Sequence, residues 1–380
     1  MSLNQYKIAF IGWNPFQFIQ IKELAMALPN AIFILEKKKN NISSFSLEIL
    51  NNSDVPISIL SLKELENIDG EYDIVIAQTV FPYIENLVKT KLVMLQYSYA
   101  KEPHQYGSWR ALSKLTLTYG SYAQKKISYF TPAVAVGNPR FDLWSQDTFH
   151  QDSKKKYKVL LDDNKKTLLY MPTWGALSSL DLFLNAVLEL SENYNLLIKV
   201  HHNTDLMEKG RVSIDKKHYR HYLGANDDSL ALFSVADIVI SDYSGAIFDA
   251  IFCKKPLILL DLDDKYLLEQ KKMDKYSLEF VERDKLGTRV KSASMLLENI
   301  QNIEDNYDNE VSKLKRIREE LFETSDSSIE LAIETLENLM SGMYQKNQAQ
   351  KYLEESIRSF YAKNSCRERV ILFLKKYKLI

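Results

Sequence analysis

Residues 236–249 read Ala-Asp-Ile-Val-Ile-Ser-Asp-Tyr-Ser-Gly-Ala-Ile-Phe-Asp. Their apolar start predicts a buried strand, which runs through small polar residues into a helix. Such a helix presents unpaired backbone N–H groups at the carboxyl edge of the sheet, where α/β proteins bind phosphates. We therefore predict a diphosphate site at Ser241, Asp242, Ser244 and Gly245, with Asp249 placed to accept hydrogen bonds from a ribose. Serine and aspartate here are equally typical of helix caps, which need no ligand.

Short apolar runs recur along the chain between amphipathic, helix-like stretches. The first set lies at 7–11, 31–35, 57–60, 73–77, 92–96 and 133–136, and the second at 167–171, 195–200, 237–241 and 256–261. Such runs separated by helices are typical of parallel sheets covered on both faces. A chain of 380 residues suits two domains of this kind. We predict an α/β protein with Rossmann-like domains at 1–150 and 160–340 and a helical tail at 345–380.

The composition narrows the possible partners. The 49 basic and 50 acidic side chains nearly cancel, which argues against nucleic acid. Neither Gly-x-Gly-x-x-Gly nor a Walker P-loop occurs, which argues against a dinucleotide oxidoreductase or a kinase. Cys253 and Cys366 fit neither a disulfide framework nor a metal site, and no apolar run reaches the roughly 18 residues that span a bilayer. We expect a cytoplasmic protein, at most peripheral on the membrane, that needs no metal.

The C-terminal tail is basic and amphipathic. Residues 351–380 carry eight Lys or Arg against three Glu, with apolar side chains interleaved. This pattern fits a helix on an anionic membrane surface. It equally fits a helix that crosses back to the first domain and exposes its outer face.

Histidine is the usual general base for an attacking alcohol, because its pKa lies near working pH. His201 directly follows a predicted strand and is the leading candidate, although it could also cap the strand end. His202 would point elsewhere, and His218 and His221 fit a solvated basic loop. His104 follows Pro103 in a predicted turn.

Other residues at predicted strand ends could bind an anion. Lys101, Arg140 and Lys199 are assigned to phosphate binding or to the domain hinge. Thr173 offers a hydroxyl and a backbone N–H at the cleft.

Four motifs occur in order: 137–142 (Gly-Asn-Pro-Arg-Phe-Asp), 170–174 (Tyr-Met-Pro-Thr-Trp), 199–201 (Lys-Val-His) and 241–249. Together they resemble the CDP-glycerol:poly(glycerophosphate) glycerophosphotransferases of teichoic acid and capsule synthesis. The resemblance implies the GT-B arrangement of two facing Rossmann-like domains and a nucleotide-diphosphate donor, CDP-linked. It also implies that His201 matches the family's second essential histidine. Where the family pattern has a second serine, this chain has Gly245.

The family's other histidine opens a His-Gly-Thr-Pro-Leu-Lys segment, and the matching stretch here runs from Gln96 to Lys101. Lys101 fits the pattern, but glutamine cannot act as a general base. His104 could reach the same space from the following loop, and Glu102 is the competing base. Gln96, Lys101 and Glu102 are expected on the acceptor side of the cleft, and His104 is a candidate catalytic residue beside His201.

The resemblance implies transfer of a polyol phosphate, most simply glycerol phosphate from CDP-glycerol. The acceptor would be a hydroxyl of a polyol-phosphate or glycan polymer, or of its lipid-linked primer. A GT-B glycosyltransferase using a nucleotide sugar is the alternative, because fold and diphosphate site do not reveal which bond breaks. A third hypothesis is a non-catalytic sugar-nucleotide-binding protein, since the histidine is missing at Gln96.

Overall fold

The computed structural model describes residues 2–38, 41–208, 210–212, 222–324 and 327–376. His218 and His221 lie outside the described residues, as do the last four residues of the tail.

Two parallel sheets organise these residues. The first contains β1 (Ile8–Gly12), β2 (Ile32–Glu36), β3 (Ile57–Leu60), β4 (Ile74–Ala77), β5 (Lys91–Leu95), β6 (Leu115–Thr118) and β7 (Ala133–Ala135). The second contains β8 (Thr167–Met171), β9 (Asn195–Lys199), β10 (Tyr222–Leu223), β11 (Ile238–Ser241), β12 (Leu257–Leu260) and β13 (Thr288–Val290). Their orders are β3-β2-β1-β4-β5-β6-β7 and β10-β9-β8-β11-β12-β13. Each is the doubly wound Rossmann order, so the predicted fold class is confirmed.

Helices cover both faces of each sheet. Those of the first half are α1 (Pro15–Ala27), α2 (Leu47–Asn52), α3 (Leu62–Leu65), α4 (Glu102–Gln105), α5 (Ser121–Ile127) and α6 (Asp147–Tyr157). Those of the second half are α7 (Leu180–Glu189), α8 (His202–Met207), α9 (Ser229–Val235), α10 (Ala246–Phe252), α11 (Asp264–Glu269), α12 (Leu278–Val281), α13 (Arg283–Leu286), α14 (Leu296–Asp305) and α15 (Tyr307–Leu321). Two more, α16 (Ser328–Met340) and α17 (Gln348–Lys376), end the described chain.

The register of the second sheet places its site residues together. Ser241 at the end of β11 is opposite Met171 at the end of β8, and Tyr170 is opposite Ile198 in β9. Parallel strands end at the same edge of a sheet. The loops after β8, β9 and β11 therefore converge on one edge, which faces the first domain.

The chain crosses between the sheets twice. Helix α16 was grouped with the second domain in the sequence analysis, but Ala332, Leu336 and Leu339 are buried in the core of the first sheet. The Asp142 carboxylate fixes this return by accepting hydrogen bonds from the Ser328 and Ile329 N–H groups.

The first half of α17 also packs on the first domain. Ile357 and Tyr361 contact the apolar cluster beneath β4 and β5, and Gln350 Nε2 donates to Ser128 O at 2.7 Å. This contact supports the crossing-back alternative for that half. None of the described helices is long and apolar enough to cross a membrane.

Candidate active site in the interdomain cleft

Two adjoining cavities lie between the facing sheet edges. The smaller, of about 100 Å³, is lined by residues that include Lys101, Thr173, Lys199, Ser244 and Asp249. The larger, of about 1000 Å³, opens beside it. His201, His202 and Lys101 border both cavities, so a ligand in one can reach a ligand in the other.

The buried Asp242 carboxylate ties the end of β11 to the loop after β8. It accepts hydrogen bonds from Thr173 N, Ser179 N and Tyr243 N at 2.7 to 2.8 Å. Ser241 is equally buried, and its hydroxyl donates to Met171 O at 2.7 Å. Neither side chain lines a cavity, so the structure gives both a supporting role. Their predicted contact with a donor does not fit these positions.

Ser244, Gly245 and Asp249 do line the smaller cavity. Ser244 Oγ accepts a hydrogen bond from Ala246 N at 3.3 Å at the start of α10. Asp249 lies one turn further along that helix, and burial raises the pKa of its carboxyl to about 7. This part of the predicted diphosphate and ribose site is thus assembled in one place.

Two lysines reach the smaller cavity from opposite domains. Lys199 is 5 % exposed, its Nζ donates to Gly224 O at 2.8 Å, and burial lowers its pKa to about 8. Lys101 has a left-handed backbone, with φ of 58°, and its Nζ donates to Thr173 Oγ1 at 2.9 Å. Burial lowers the pKa of Lys101 as well. Two poorly hydrated ammonium groups make this cavity suited to an anion.

Arg140 lies elsewhere. Its guanidinium pairs with Glu23 on α1 at 3.2 Å and with Asp228 at the start of α9. It therefore links the two domains, and of the two roles left open for it the hinge role fits the geometry. Its predicted contact with a donor is not supported, because its guanidinium already pairs with these two carboxylates.

His201 follows β9 and begins α8. Its Nδ1 accepts a hydrogen bond from Asn203 N at 3.1 Å, so in the neutral ring Nε2 carries the proton. Burial lowers the pKa of His201 well below its usual range, and Lys101 and Lys199 act in the same direction. The ring is thus neutral at pH 7 and offers a hydrogen-bond donor.

His202 is the neighbour that the sequence analysis ranked lower. It is buried, and its ring stacks on Phe16 of the first domain with centroids 5.5 Å apart. Burial lowers its pKa to about 3, with a smaller contribution from the cations. This neutral ring forms part of the wall shared by the two cavities.

Gln96 stands at the position of the missing family histidine, and His104 and Glu102 were the predicted replacements. Of these three residues, only His104 lines the larger cavity. Gln96 is fully buried, where its Oε1 accepts from Tyr119 N at 2.8 Å. The Glu102 carboxylate accepts a hydrogen bond from Tyr122 OH and pairs with Lys126. Gln96 therefore supports the loop after β5, and the pairing of Glu102 leaves it unsuited to act as a base.

Most residues on the first-domain side of the cleft were not predicted from the sequence. Trp13 and Asn14 follow β1, Thr79 follows β4, and Tyr97 and Ser98 follow β5, and all of them line a cavity. Their positions directly after predicted strands could have identified them, because ligands bind at the carboxyl ends of parallel strands in either domain. Among the described residues, no group of three or more His, Cys, Asp or Glu side chains is placed to hold a metal ion.

Two facing Rossmann-like domains with a ligand-sized cleft between them define a GT-B protein. The chain belongs to the CDP-glycerol:poly(glycerophosphate) glycerophosphotransferase family, whose profile matches residues 122–363. The matched region includes all the second-domain residues of the cleft described above.

Known relatives are similar over part of their length. A teichoic acid poly(glycerol phosphate) polymerase of Staphylococcus epidermidis is 28% identical over 148 residues, which is 34% of this chain and 20% of that protein. The corresponding polymerase of Bacillus spizizenii is 26% identical over 136 residues, or 33% of this chain and 34% of that protein. This chain thus matches 20% and 34% of the lengths of these two relatives. The solved structure of the wall teichoic acid polymerase TagF aligns with a TM-score of 0.61 at 15% identity, covering 92% of this chain and 90% of that one.

Proposed function

We propose that this protein transfers glycerol phosphate from CDP-glycerol to a hydroxyl group of a surface polymer or its primer. The observation that carries the proposal is that the family match includes Thr173, Lys199, His201, Ser244 and Asp249, which line one cavity. In the reaction the acceptor oxygen bonds to the β-phosphorus of the donor. The bond from that phosphorus to the bridging oxygen breaks, and CMP leaves with the electron pair.

The donor diphosphate fits the smaller cavity, between Lys101 and Lys199. These lysines line the cavity from the two domains and would offset the charge of the diphosphate, so we propose that no metal cofactor is needed. The Asp249 carboxyl would accept hydrogen bonds from the ribose. The His201 Nε2–H group would donate to a phosphate oxygen whose charge grows as CMP leaves.

His104 is the proposed general base. It borders the larger cavity, and burial together with the nearby Lys101 charge lowers its pKa, so the ring is neutral and can accept a proton at pH 7. The proton of the acceptor hydroxyl would pass to this ring as the oxygen attacks.

The acceptor fits the larger cavity. Three of the chain's four tryptophans line it, namely Trp13, Trp109 and Trp174. Its charged lining consists of four lysines, at 101, 271, 272 and 275, and one aspartate, Asp274. Indole faces favour a sugar ring and lysines favour phosphate, so we propose an acceptor that carries both. If that acceptor is lipid-linked, the end of the basic tail is the proposed membrane contact.

The product distinguishes this proposal from its rivals. Purified protein, CDP-glycerol and a glycan primer ending in glycerol phosphate should yield CMP and an acceptor longer by one glycerol phosphate, detected by chromatography and mass spectrometry. His104→Ala should slow CMP release by about 10² to 10⁴, whereas Glu102→Gln should release CMP at a rate closer to that of wild type.

Other outcomes would point to the other functions. Turnover of a nucleotide sugar in place of CDP-glycerol would establish a glycosyltransferase. Donor binding without turnover on any primer tested would favour a nucleotide-binding protein.

A further inference from the structure

Gly245 lies close to the side chain of Ser98, which belongs to the first domain. A Cβ atom on residue 245 would lie 2.5 Å from Ser98 Oγ and 3.4 Å from Ser98 Cβ. The φ of Gly245 is −58°, a value that any residue adopts. A side chain on residue 245 would therefore displace the Ser98 hydroxyl from its present position, although the backbone itself would accept one.

The Ser98 hydroxyl is held in place but keeps its own proton. Gln96 Nε2 donates to Ser98 O at 3.1 Å, while Ala100 N donates to Ser98 Oγ at 3.1 Å. A serine hydroxyl has one donor and two acceptor positions, so the O–H group can still donate. Gln96, which cannot act as a base, thus has a defined task in holding the loop that carries Ser98.

The surroundings of this hydroxyl are those of an anion site. Ser98, Gly245, Lys101 and Lys199 line the same cavity. Lys199 is only 5 % exposed, and its Nζ donates to Gly224 O. A neutral hydroxyl donor in a cavity that also holds two desolvated cations suits a phosphate oxygen.

We propose that Ser98 donates a hydrogen bond to the donor diphosphate from the space that a side chain on residue 245 would otherwise occupy. The identity of the donor rests on the proposed function. The donor site is then completed across the cleft by a residue of the first domain. Donor binding would hold the two domains together, because the hydroxyl and Ser244 belong to different domains.

Moving the hydroxyl group from residue 98 to residue 245 tests the proposal. Ser98→Ala should weaken binding of CDP-glycerol, and of CDP, by about tenfold in calorimetry. Gly245→Ser alone should also weaken binding, because its Cβ displaces Ser98 Oγ from the position that faces the diphosphate. In the double variant Ser98→Ala/Gly245→Ser the colliding oxygen is gone and a hydroxyl returns from the other side of the cleft. Its affinity should recover to within about threefold of wild type.

The outcomes separate this inference from the proposed function. Wild-type affinity in Ser98→Ala, or a double variant no better than Gly245→Ser at an equal melting temperature, overturns the role of Ser98 even if CMP is released normally. If CMP is never released but Ser98→Ala/Gly245→Ser restores CDP binding, the role of Ser98 stands and only the proposed transfer of glycerol phosphate is wrong. Absence of CDP and CDP-glycerol binding in the wild type would overturn both.

Discussion

The position of one proton decides what His201 can do. Because Nδ1 accepts from Asn203 N, the neutral ring holds its proton on Nε2, on the side left free for a ligand. A base must start without a proton on the nitrogen that receives one. In this hydrogen-bonded arrangement the geometry therefore favours donation to a phosphate over proton abstraction, the role predicted from the sequence.

Two substitutions of His201 separate these roles. His201→Asn keeps an oxygen near the position of Nδ1 and so keeps the contact to Asn203 N, but it lacks the distal donor. His201→Gln brings an amide N–H near the position of Nε2. We expect the Asn variant to lose about 10² to 10³ in kcat, as when one donor to a developing oxyanion is removed. The Gln variant should retain at least about ten times more activity than the Asn variant.

The measurement is the initial rate of CMP release, with melting temperatures as the folding control. Because burial lowers the pKa of His201 well below its usual range, this ring should be neutral throughout and cause no change in rate between about pH 6 and about pH 8. Equal loss in the Asn and Gln variants, at equal melting temperature, would favour the base role instead.

Among the elements, α17 combines two tasks. Its first half is bound to the first domain where Glu354 accepts from Lys114 at 3.1 Å and Arg358 donates to Glu85 O. Lys346, just before the helix, donates to Ala111 O at 2.5 Å and to Glu354 at 2.6 Å. Beyond residue 363 the sequence stays basic, as the membrane hypothesis requires. The two halves can therefore be tested separately.

Two truncations perform this test. Removal of 351–380 deletes Glu354, Ile357 and Tyr361 from their packing sites and should lower the melting temperature by at least about 5 °C. Removal of 364–380 alone should leave the melting temperature unchanged. If the tail contacts lipid, this shorter truncation should lose binding to vesicles containing phosphatidylglycerol while CMP release with a soluble acceptor continues. An unchanged melting temperature in the longer truncation would contradict the structural role.

The sequence predicts best the elements whose signal is local. Strands β1, β8 and β11 are continuous apolar runs, and each was predicted. Strand β6 was missed because Leu115-Thr-Leu-Thr118 alternates, although the structure buries both threonines in the sheet. Strands β10 and β13 were missed because they are edge strands of two and three residues, too short to show a period.

The same distinction holds within the site. Thr173, Lys199 and Ser244 reach the cavity because each follows a strand end, a position that sequence can identify. Arg140 and Glu102 were assigned to the cleft, yet their partners are distant in sequence: Arg140 pairs with Asp228, and Glu102 with Lys126. Local patterns do not show such pairs, because only the folded chain brings the charges together.

For the whole molecule, the cleft separates two chemical environments. The smaller cavity has a lysine from each domain and the Asp249 carboxyl. The larger cavity has tryptophans on both walls, Trp13 and Trp109 from the first domain and Trp174 from the second. The carboxylate of Asp274, its one acidic residue, already accepts from Tyr276 N at 2.8 Å and from the Ser277 hydroxyl. Four lysines against this one aspartate give the lining a net positive charge.

Loss of this aromatic wall should affect the acceptor and spare the donor. Trp174 is 36% exposed and borders only the larger cavity, so Trp174→Ala should raise the acceptor KM by about three- to tenfold. The donor Kd, measured by calorimetry, should not change. Replacing Lys271, Lys272 and Lys275 together by glutamine should also raise the acceptor KM, and it should flatten the dependence of that KM on salt, because screening then has fewer charges to act on.

Tyr129→Ala is the matched control for the aromatic change, since Tyr129 is 80% exposed and lines neither cavity. The assay compares a glycan primer ending in glycerol phosphate with a soluble oligo(glycerol phosphate) that has no sugar ring. If Trp174 stacks on a ring, its loss should matter for the first acceptor and little for the second. An equal effect on both acceptors, or an equal effect in Tyr129→Ala, would refute a sugar subsite at Trp174. A matching loss of donor affinity would instead place the donor in the larger cavity.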